Sequence, residues 1–245
     1  MNQIVENLPN ACIVAGVQPL LSELRDNVRV HFRGRQDAGR EPLEGFIHDI
    51  FELAYGASLT SYYPNLTAFT SDGRLRGVVG YRDGMVKPLF SEQYLDRPIE
   101  TEMTEHLGQV VERQRLVEVG NLALLGPGEA RWVIAATIAF LHAAGYRWVL
   151  FTAVKSLFNA FHRLGLNPIQ IATPDPARLP DGGRSWGRYY QAGPVVCAGD
   201  IEAGWNKLSG HVSLAQPKLH ALLQEAWALG MHSRYRTGHA LGEAS

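Results

Sequence analysis

Hydrophobic residues recur along the chain with two different spacings, which predicts strands and helices within one domain. Residues 28–32 (VRVHF) alternate as a half-buried strand does, and Asp72-Gly73 between two β-rich runs is typical of a hairpin turn. Helical spacing is clearest over residues 129–144, and Gly145 follows where a C-terminal cap belongs. The predicted elements are a strand over 28–32, a helix over 43–55 ended by Gly56, hairpin strands over 66–70 and 75–81, a strand within 109–124 with a break at Gly120, a helix over 129–144, a strand over 147–153 and a helix over 156–164 capped by Ser156.

The C-terminal third has a less regular pattern. Residues 173–185 are rich in Pro and Gly and predict a loop, and residues 189–198 predict a strand broken at Gly193-Pro194. An amphipathic helix is predicted over 217–229, before a polar tail, 232–245, that we expect to be disordered. We therefore predict a single domain over 1–245, with a core over about 25–200 and a C-terminal helical extension over 201–231.

Composition and charge favour a cytoplasmic globular protein. Apolar residues make up 46% of the chain, and 23 Lys and Arg nearly balance 24 Asp and Glu. The chain therefore has no global field that would draw it to a nucleic acid or an anionic membrane. Glu6 and Pro9 interrupt the N-terminal apolar residues, so we expect no signal peptide, and the most apolar window, 132–151, divides into a helix and a strand rather than a membrane span.

The cysteine and histidine patterns predict no metal site. Cys12 and Cys197 lie far apart and outside any CxxC spacing, which suits a reducing compartment, and the nine histidines form no HExxH.

A glycine loop leads into the clearest helix. In residues 125–131 (LGPGEAR) the backbone N–H groups lie beside the positive end of the helix dipole, and they are suited to hold a phosphate or pyrophosphate. A tight connection between strand and helix that needs no ligand has the same sequence pattern, and the two interpretations carry equal weight.

The ordered set of strand, glycine loop, long helix, strand and short helix over 116–166 resembles the core of the GNAT acyltransferases. In that superfamily the loop grips coenzyme A or phosphopantetheine, and NAFHRLGL (159–166) matches the closing helix. The resemblance implies an α/β (α+β) fold with a central, mostly antiparallel sheet, a splayed pair of strands and flanking helices. It also implies an acyl-CoA or acyl-phosphopantetheine donor held by Leu122, Ala123, Leu124, Gly126, Gly128, Glu129, Ala130, Arg131 and Asn159. Arg131 and Lys155 are candidates to meet the phosphates, although solvated helix-end cations are commoner.

Several runs are similar to the thermostable hemolysin family. These runs are FELAYGA (51–57), YYPNL (62–66), LFSEQYLDRPIE (89–100), VEVGNLAL (117–124) and WGRYY (186–190), and together they extend the resemblance over about 40–200. The family name refers to a reported lysis of blood cells and says little about mechanism.

A further resemblance concerns the acyl-homoserine-lactone synthases, which share the GNAT fold. It is carried by Gly80-Tyr81-Arg82, Leu89-Phe90 and 117–123. Those enzymes pair an acyl thioester with S-adenosylmethionine, and their strand presents a Glu acting as base and, three residues later, an Arg. Glu118 matches the Glu and Arg82 an upstream Arg, but Asn121 replaces the second Arg. Because an amide cannot replace a guanidinium at a carboxylate, we expect an acceptor other than S-adenosylmethionine.

The resemblance implies roles for a few residues. Glu118 is the candidate general base, with a salt bridge to Arg113, Arg115 or Arg82 as the alternative. Asn121 is the second candidate catalytic residue, either orienting the acceptor or polarising a carbonyl; alternatively it satisfies backbone groups. The acceptor is expected to contact Arg82, Phe90 and Tyr189.

The general acid is missing from its usual place. The Tyr that many GNAT enzymes use aligns with Phe161, which has no ionisable proton. Tyr189 and Tyr190 are candidates by residue type only, and a core role for their rings is the alternative.

The resemblances imply an acyltransferase that moves a fatty acyl group from acyl carrier protein or coenzyme A to a small amine acceptor. The alternative is a noncatalytic lipid-binding or membrane-active protein on a GNAT scaffold, since a fold does not decide a function. Direct lysis is disfavoured because the sequence shows no spanning segment and no long basic amphipathic helix. Acyl carrier protein is the one macromolecular partner that the resemblance implies.

Overall fold

One sheet of seven strands runs through the part of the chain described by this computed structural model, which covers residues 27–86, 88–126, 128–211 and 217–242. The strands are β1 (Val28–Arg33), β2 (Asn65–Ser71), β3 (Arg74–Asp83), β4 (Leu116–Leu124), β5 (Trp148–Ala153), β6 (Ile169–Ala172) and β7 (Val195–Asp200). The helices are α1 (Glu41–Tyr55), α2 (Ile99–Leu107), α3 (Glu129–Ala143), α4 (Lys155–Arg163), α5 (Ile201–His211) and α6 (Pro217–Gly242). The mixed α/β class is thus as predicted.

The strand order is β1-β2-β3-β4-β5-β7-β6, and the neighbours are antiparallel except for β4 and β5. The parallel pair β4–β5 stays in register only from Leu116 opposite Trp148 to Val119 opposite Phe151. Beyond this point β4 continues to Leu124, and no described strand pairs with it on that side. The wedge between the two strands, here called the splay, is the predicted splayed pair.

Helices cover both faces of the sheet. On one face α1 buries Leu43, Ile47 and Phe51 against strands β2 and β3. On the other face α3 and α6 pack on each other and on the sheet, with Phe140 and Leu222 among the fully buried side chains. The sheet is therefore a central layer between two layers of helices.

Strand β4 contains a bulge next to the splay. Asn121 has a φ of +48°, and the register with β3 shifts between Val78 and Gly80. Asn tolerates this left-handed conformation better than most residues, because its short polar side chain can bond locally. The break predicted at Gly120 therefore lies one residue further on.

The predicted elements of the N-terminal two thirds are confirmed, with bounds that differ by no more than two residues except at the start of β4. Gly56 ends α1 with a φ of +64°, and Asp72 and Gly73 form the hairpin turn with φ values of +49° and +74°. Strand β4 begins at Leu116, so residues 109–115 are not part of it.

Three predictions need correction, and two elements were not predicted. Ser156 does not cap α4, because the helix already begins at Lys155 and has no side-chain cap. Residues 189–192 form a 3₁₀ turn, and the strand starts only at Val195, because Gly193 adopts a φ of +63°. Helix α6 continues to Gly242, beyond the end predicted at 229, while 243–245 lie outside the described residues; the disorder expected for the tail stays a prediction. Neither α2 nor β6 was predicted, because α2 buries only Ile99 and Met103 and β6 has four residues.

Two findings concern membranes and metals. Within the described ranges, no helix is both long enough and apolar enough to cross a bilayer. Cys197 is buried, and burial raises the pKa of its thiol to about 12, while Cys12 lies outside the residues described. No cluster of three or more His, Cys, Asp or Glu side chains suited to a metal occurs among the residues described.

The contact between α3 and α6 gives a stability prediction. A Cβ on Gly230 would lie 2.9 Å from Ala143 Cβ and closer still to the carbonyl oxygen of Phe140. Gly230→Ala should therefore force the helices apart and lower the free energy of unfolding by about 1 to 3 kcal/mol in a denaturant titration. The matched control is Gly45→Ala at an exposed position of α1, where a Cβ meets nothing within 4 Å and helix propensity should add about 0.5 to 1 kcal/mol to the stability. Equal stability of the two variants would contradict this packing.

Candidate active site

The splay opens into a cavity of about 690 Å³ that reaches both faces of the sheet. Its volume lies within the range of about 300 to 1,000 Å³ that is usual for small-molecule sites. On the α1 face its walls carry polar and aromatic groups, whereas on the α3 face they are mainly aliphatic and phenylalanine side chains. The first set includes Tyr63, Arg82, Phe90, Tyr94, Asn121, Thr152, Trp186 and Tyr189, and the second includes Leu122, Ile134, Ile138, Phe151, Phe161 and Leu166.

Glu118 lies fully buried beside the cavity and is absent from its wall. Its two carboxylate oxygens accept backbone N–H bonds from Phe90 at 2.8 Å and Ser91 at 2.7 Å. Charge-assisted bonds of this kind compensate for the cost of burying a carboxylate. A molecule bound in the cavity would therefore not touch the Glu118 carboxylate directly.

The segment that bonds Glu118, residues 89–94, is here called the strap. Glu92 ties it to the rest of the fold by accepting from the Leu89 N–H at 2.8 Å and by an ion pair with Arg113 at 2.6 Å. Burial alone would raise the pKa of Glu92, but the bonds from Arg113, Leu89 and Ile99 outweigh it and lower the pKa to about 2. The strap is therefore held by an ion pair that stays charged at neutral pH. Within the strap, Phe90 forms part of the cavity wall.

The salt bridges from Glu118 to Arg113, Arg115 or Arg82 that the sequence suggested are not among the ion pairs of the described residues. Arg113 binds Glu92 and Glu100, each at 2.6 Å. Arg82 lies opposite Glu118 in the β3–β4 register, and its guanidinium stacks on the Tyr63 ring at 4.7 Å and donates to the Pro88 carbonyl. The buried Nε of Arg82 has no partner among the residues described, and since Arg82 lines the cavity it remains a donor for an acceptor molecule.

Asn121 lines the cavity and also has a structural bond. Its Oδ1 accepts the backbone N–H of Tyr63 at 2.8 Å, so the carboxamide fixes the segment that carries Tyr63. This bond matches the alternative in which Asn121 satisfies a backbone group. Its Nδ2 is the group left to meet a ligand.

Two tyrosines at the aromatic end share a short hydrogen bond. The hydroxyls of Tyr94 and Tyr190 lie 2.6 Å apart, and burial raises the pKa of both groups. Tyr94 lines the cavity, whereas Tyr190 packs on the ring of Trp186. Tyr189 lines the cavity with a buried ring, and its hydroxyl points to the Thr152 carbonyl. The pair makes Tyr94 a proton-donor candidate that the sequence did not indicate.

The residues predicted to bind the donor are only partly brought together. Leu122 and Leu124 line the cavity, but Ala123 is buried on the opposite face against α1. Gly126, Gly128, Ala130, Arg131 and Asn159 lie around the start of α3 and on α4, outside the cavity wall. The Glu129 carboxylate is occupied, because it pairs with Arg76 and accepts from Trp132 Nε1 at 2.8 Å.

Sequence reasoning identified three acceptor-side residues, Arg82, Phe90 and Tyr189, that do line the cavity. It missed Tyr63, Tyr94 and Thr152. The only sequence signal for Tyr63 is its position in the YYPNL run, and no local pattern singles out Thr152, which faces Ser91 Oγ at 3.3 Å.

Among solved structures, FeeM, an N-acyl amino acid synthase from uncultured soil microbes, is similar at 13% identity and a TM-score of 0.51, covering 76% of this chain and 98% of that chain. The acyl-homoserine-lactone synthase LasI has 14% identity and a TM-score of 0.49, covering 77% and 98%. BjaI, a CoA-dependent acyl-homoserine-lactone synthase, has 14% identity and a TM-score of 0.48, covering 83% and 99%. At such low identity the likeness to FeeM concerns the fold, and it agrees with the GNAT-like class.

No curated protein sequence matches the chain. A family profile does: residues 33–205 match the family described as thermostable hemolysin. The matched region contains the strap, the bulged strand β4, the splay and the strands and helices that line the cavity. Since the match spans most of its length, the chain belongs to the thermostable hemolysin family.

Proposed function

We propose that this protein is an acyltransferase that moves a fatty acyl group from an acyl thioester, carried by acyl carrier protein or coenzyme A, to a small amine acceptor. One observation carries the proposal: a single cavity joins an apolar compartment on the α3 face to a polar compartment on the α1 face through the splay. An acyl chain and a polar nucleophile can therefore meet at the point where the two strands part.

The splay is suited to the thioester. Beyond Val119, no strand of the described part of the chain pairs with β4 on its β5 side, so its backbone groups there can bond a ligand chain as a strand would. The start of α3 lies at the end of the same strand, and its N–H groups and dipole favour the phosphates of a carrier arm. Leu122, Leu124, Gly126, Gly128 and Arg131 keep their proposed donor roles.

The apolar compartment is suited to the acyl chain. Ile134, Ile138, Phe151 and Phe161 line it together, and burying a chain there gains about 0.8 kcal/mol for each methylene group removed from water. Phe161, in the position of the family's usual general acid, thus contributes to this wall. The leaving thiolate must be protonated by another group, for which Tyr94 is the candidate.

The polar compartment is suited to an amine. Attack on the thioester carbonyl requires the amine to lose a proton, and Glu118 is the proposed base. Arg82 Nε and Asn121 Nδ2 are donors that can orient the acceptor, while Phe90 and Tyr189 supply its aromatic walls. FeeM is named as an N-acyl amino acid synthase, and this supports an amide-forming reaction. The expectation that the acceptor is not S-adenosylmethionine stays a prediction.

A noncatalytic lipid-binding protein is the second candidate. The observation that favours it is the fully buried state of Glu118, whose oxygens are already bonded to the strap. In that case the cavity would bind a fatty acid without chemistry. The two candidates differ in whether acyl-CoA is turned over, and in whether its pantetheine arm adds to the binding.

The first functional prediction concerns the donor. Decanoyl-CoA should raise the melting temperature more than decanoate does, because its phosphates meet the α3 N-terminus. Saturation at a hundredfold excess over Kd corresponds to about 2.7 kcal/mol. Arg131→Glu should reduce the extra shift. As a control, Arg97→Glu alters an exposed cation whose partners are Glu102 and Glu105, remote from the splay, and should keep it. A shift from decanoate equal to that from decanoyl-CoA would favour the lipid-binding candidate.

The second functional prediction concerns chain length. Gly204 of α5 lines the cavity, and a Cβ there would meet Leu166 at 3.4 Å and Ile138 at 3.7 Å. Gly204→Leu should fill the end of the apolar compartment and weaken hexadecanoyl-CoA relative to octanoyl-CoA by roughly tenfold or more. Gly210→Leu in the same helix, where a Cβ meets nothing within 4 Å, is the matched control. An unchanged preference in Gly204→Leu would place the chain elsewhere.

The third functional prediction concerns Glu118. Glu118→Gln should slow acyl transfer by roughly a hundredfold or more, as loss of a general base commonly does. The amide can accept only one of the two strap N–H bonds cleanly, so the variant should also lose about 1 to 3 kcal/mol of stability. Turnover is therefore compared at a temperature where both proteins are folded, as checked by circular dichroism. Unchanged turnover per folded molecule would leave Glu118 as a structural anchor of the strap.

A further inference from the structure

The YYPNL run, residues 62–66, has no role in the reaction as proposed so far. Its second tyrosine, Tyr63, lies at the splay and lines the cavity. It is also one of the most heavily restrained side chains near the site, although it stands in the loop before β2 and not in a regular element. The restraints act on both its backbone and its ring.

The Tyr63 backbone is held from both sides. Its N–H donates to Asn121 Oδ1 at 2.8 Å, and its carbonyl accepts from the buried Arg40 guanidinium, which also donates to the Pro64 carbonyl at 2.8 Å. Asn121 owes its inward direction to the bulge in β4. The bulge and Arg40 therefore determine together where Tyr63 lies.

The Tyr63 ring lies directly over a glycine of β4. A Cβ on Gly120 would be 2.8 Å from ring atoms and 2.9 Å from the hydroxyl, and a Cβ on Gly80 would be 3.0 Å from Tyr63 Cβ. The Arg82 guanidinium lies over the same ring, with Cζ 4.7 Å from its centroid. Gly120 and Gly80 have no side chains, and the space they leave lets this phenol lie against β4, the strand that carries Glu118.

The Tyr63 phenol lies against Gly120, two residues along β4 from Glu118, and also lines the cavity. Burial, and then the charge of Glu118 and hydrogen bonding to it, raise the pKa of the Tyr63 hydroxyl, while the nearby Arg82 cation lowers it in part. Glu118 is fully buried and does not line the cavity, whereas Tyr63 does. A proton moving from a bound acceptor to Glu118 therefore has a route through the Tyr63 oxygen.

We propose that Tyr63 is a catalytic residue that relays the proton of the attacking amine to Glu118, an inference that rests on the proposed acyl transfer. As the amine nitrogen bonds to the thioester carbon, its proton passes to Tyr63 Oη and the phenolic proton passes to the Glu118 carboxylate. The C–S bond then breaks, and its electron pair leaves with sulfur as a thiolate. Tyr94, the proposed general acid, gives its proton to sulfur, and the proton on Glu118 returns through Tyr63 Oη to the cavity, from which Tyr94 is reprotonated. One proton has then left nitrogen and one has reached sulfur, so the products are an amide and a thiol.

The raised pKa of Tyr63 is consistent with this relay. A phenol that stays protonated can donate to Glu118 and accept from the amine at the same time, so no free tyrosinate is needed. A relay of this kind needs both groups, and loss of either one should cost nearly as much as loss of both.

The kinetic test uses decanoyl-CoA as donor and hydroxylamine as the acceptor probe, with decanoyl hydroxamate measured by mass spectrometry. Tyr63→Phe should lower kcat by roughly a hundredfold with little change in KM for the donor, and should abolish the solvent deuterium isotope effect on kcat. The double variant Tyr63→Phe with Glu118→Gln should be no slower than Glu118→Gln alone. The relay is overturned if kcat of Tyr63→Phe stays within about threefold of wild type. It is also overturned if the losses of kcat in the two single variants multiply in the double variant.

The matched control is Tyr146→Phe. Tyr146 is another tyrosine with a raised pKa whose hydroxyl donates to a carboxylate, Asp83, at 2.8 Å, but it does not line the cavity. Its variant should lose a similar hydrogen bond and keep full turnover with the normal isotope effect. Equal loss of kcat in both variants would show that the Tyr63 effect is one of stability.

A second measurement does not depend on turnover. In protein with labelled tyrosine, the slowly exchanging Tyr63 hydroxyl proton should give an NMR resonance, assigned by its loss in Tyr63→Phe, that shifts strongly in Glu118→Gln. If wild type transfers no acyl group but this shift occurs, the acyl-transfer proposal fails while the pairing holds. If the resonance is unaffected by Glu118→Gln, the relay is wrong whatever the activity.

Discussion

A carboxylate buried in the middle of a sheet must find its hydrogen-bond donors inside the protein, and Glu118 finds them in the strap. Leaving such a charge unpaired would cost several kcal/mol, on the order of a whole domain's margin of stability. The two N–H groups of Phe90 and Ser91 meet this requirement. They also place Phe90 against the splay. The need of one buried carboxylate for hydrogen-bond donors thus determines part of the cavity wall.

A second constraint is the space over β4. Gly120 and Gly80 leave room for the Tyr63 ring, and the bulge at Asn121 directs a carboxamide at the Tyr63 backbone. A regular strand would send alternate side chains to opposite faces. The bulge changes this, so that Glu118 and Asn121 serve the same face while Leu122 lines the apolar compartment.

These constraints bear on how the family name and the proposed chemistry fit together. The cavity pairs an aliphatic compartment with a polar one, which suits the joining of an acyl chain to a small nucleophile better than it suits a lytic surface. An acylated product with surface activity would connect the two descriptions. The GNAT-like fold supplies the splay, but this chain differs from the acyl-homoserine-lactone synthases at Asn121 and from many GNAT enzymes at Phe161. Under the proposed function, such differences bear on which acceptor is used, since a fold does not decide it.

The sequence by itself determined the features that depend on neighbours along the chain. The periodicity of 129–144 and the Asp72-Gly73 turn are local signals, and the order of elements over 116–166 was enough to indicate the GNAT-like core. Glu118, Arg82 and Phe90 were singled out by resemblance to known motifs, which does not reveal what each side chain contacts. The irregular stretch 189–192 and the polar helix α2 were missed, because their conformations depend on packing rather than on propensity.

Only the tertiary structure decided that Glu118 is buried behind the strap and that Tyr63 lies over Gly120 of the same strand, in the wall of the cavity. Tyr63 and Asn121 are 58 positions apart, and their bond forms only when β2, β3 and β4 are paired in register. The ion pair that occupies the Glu129 carboxylate at the start of α3 likewise depends on Arg76, which lies in β3. Such contacts join residues that are distant in sequence, and their geometry follows from strand register, a bulge and missing side chains, none of which a local pattern encodes.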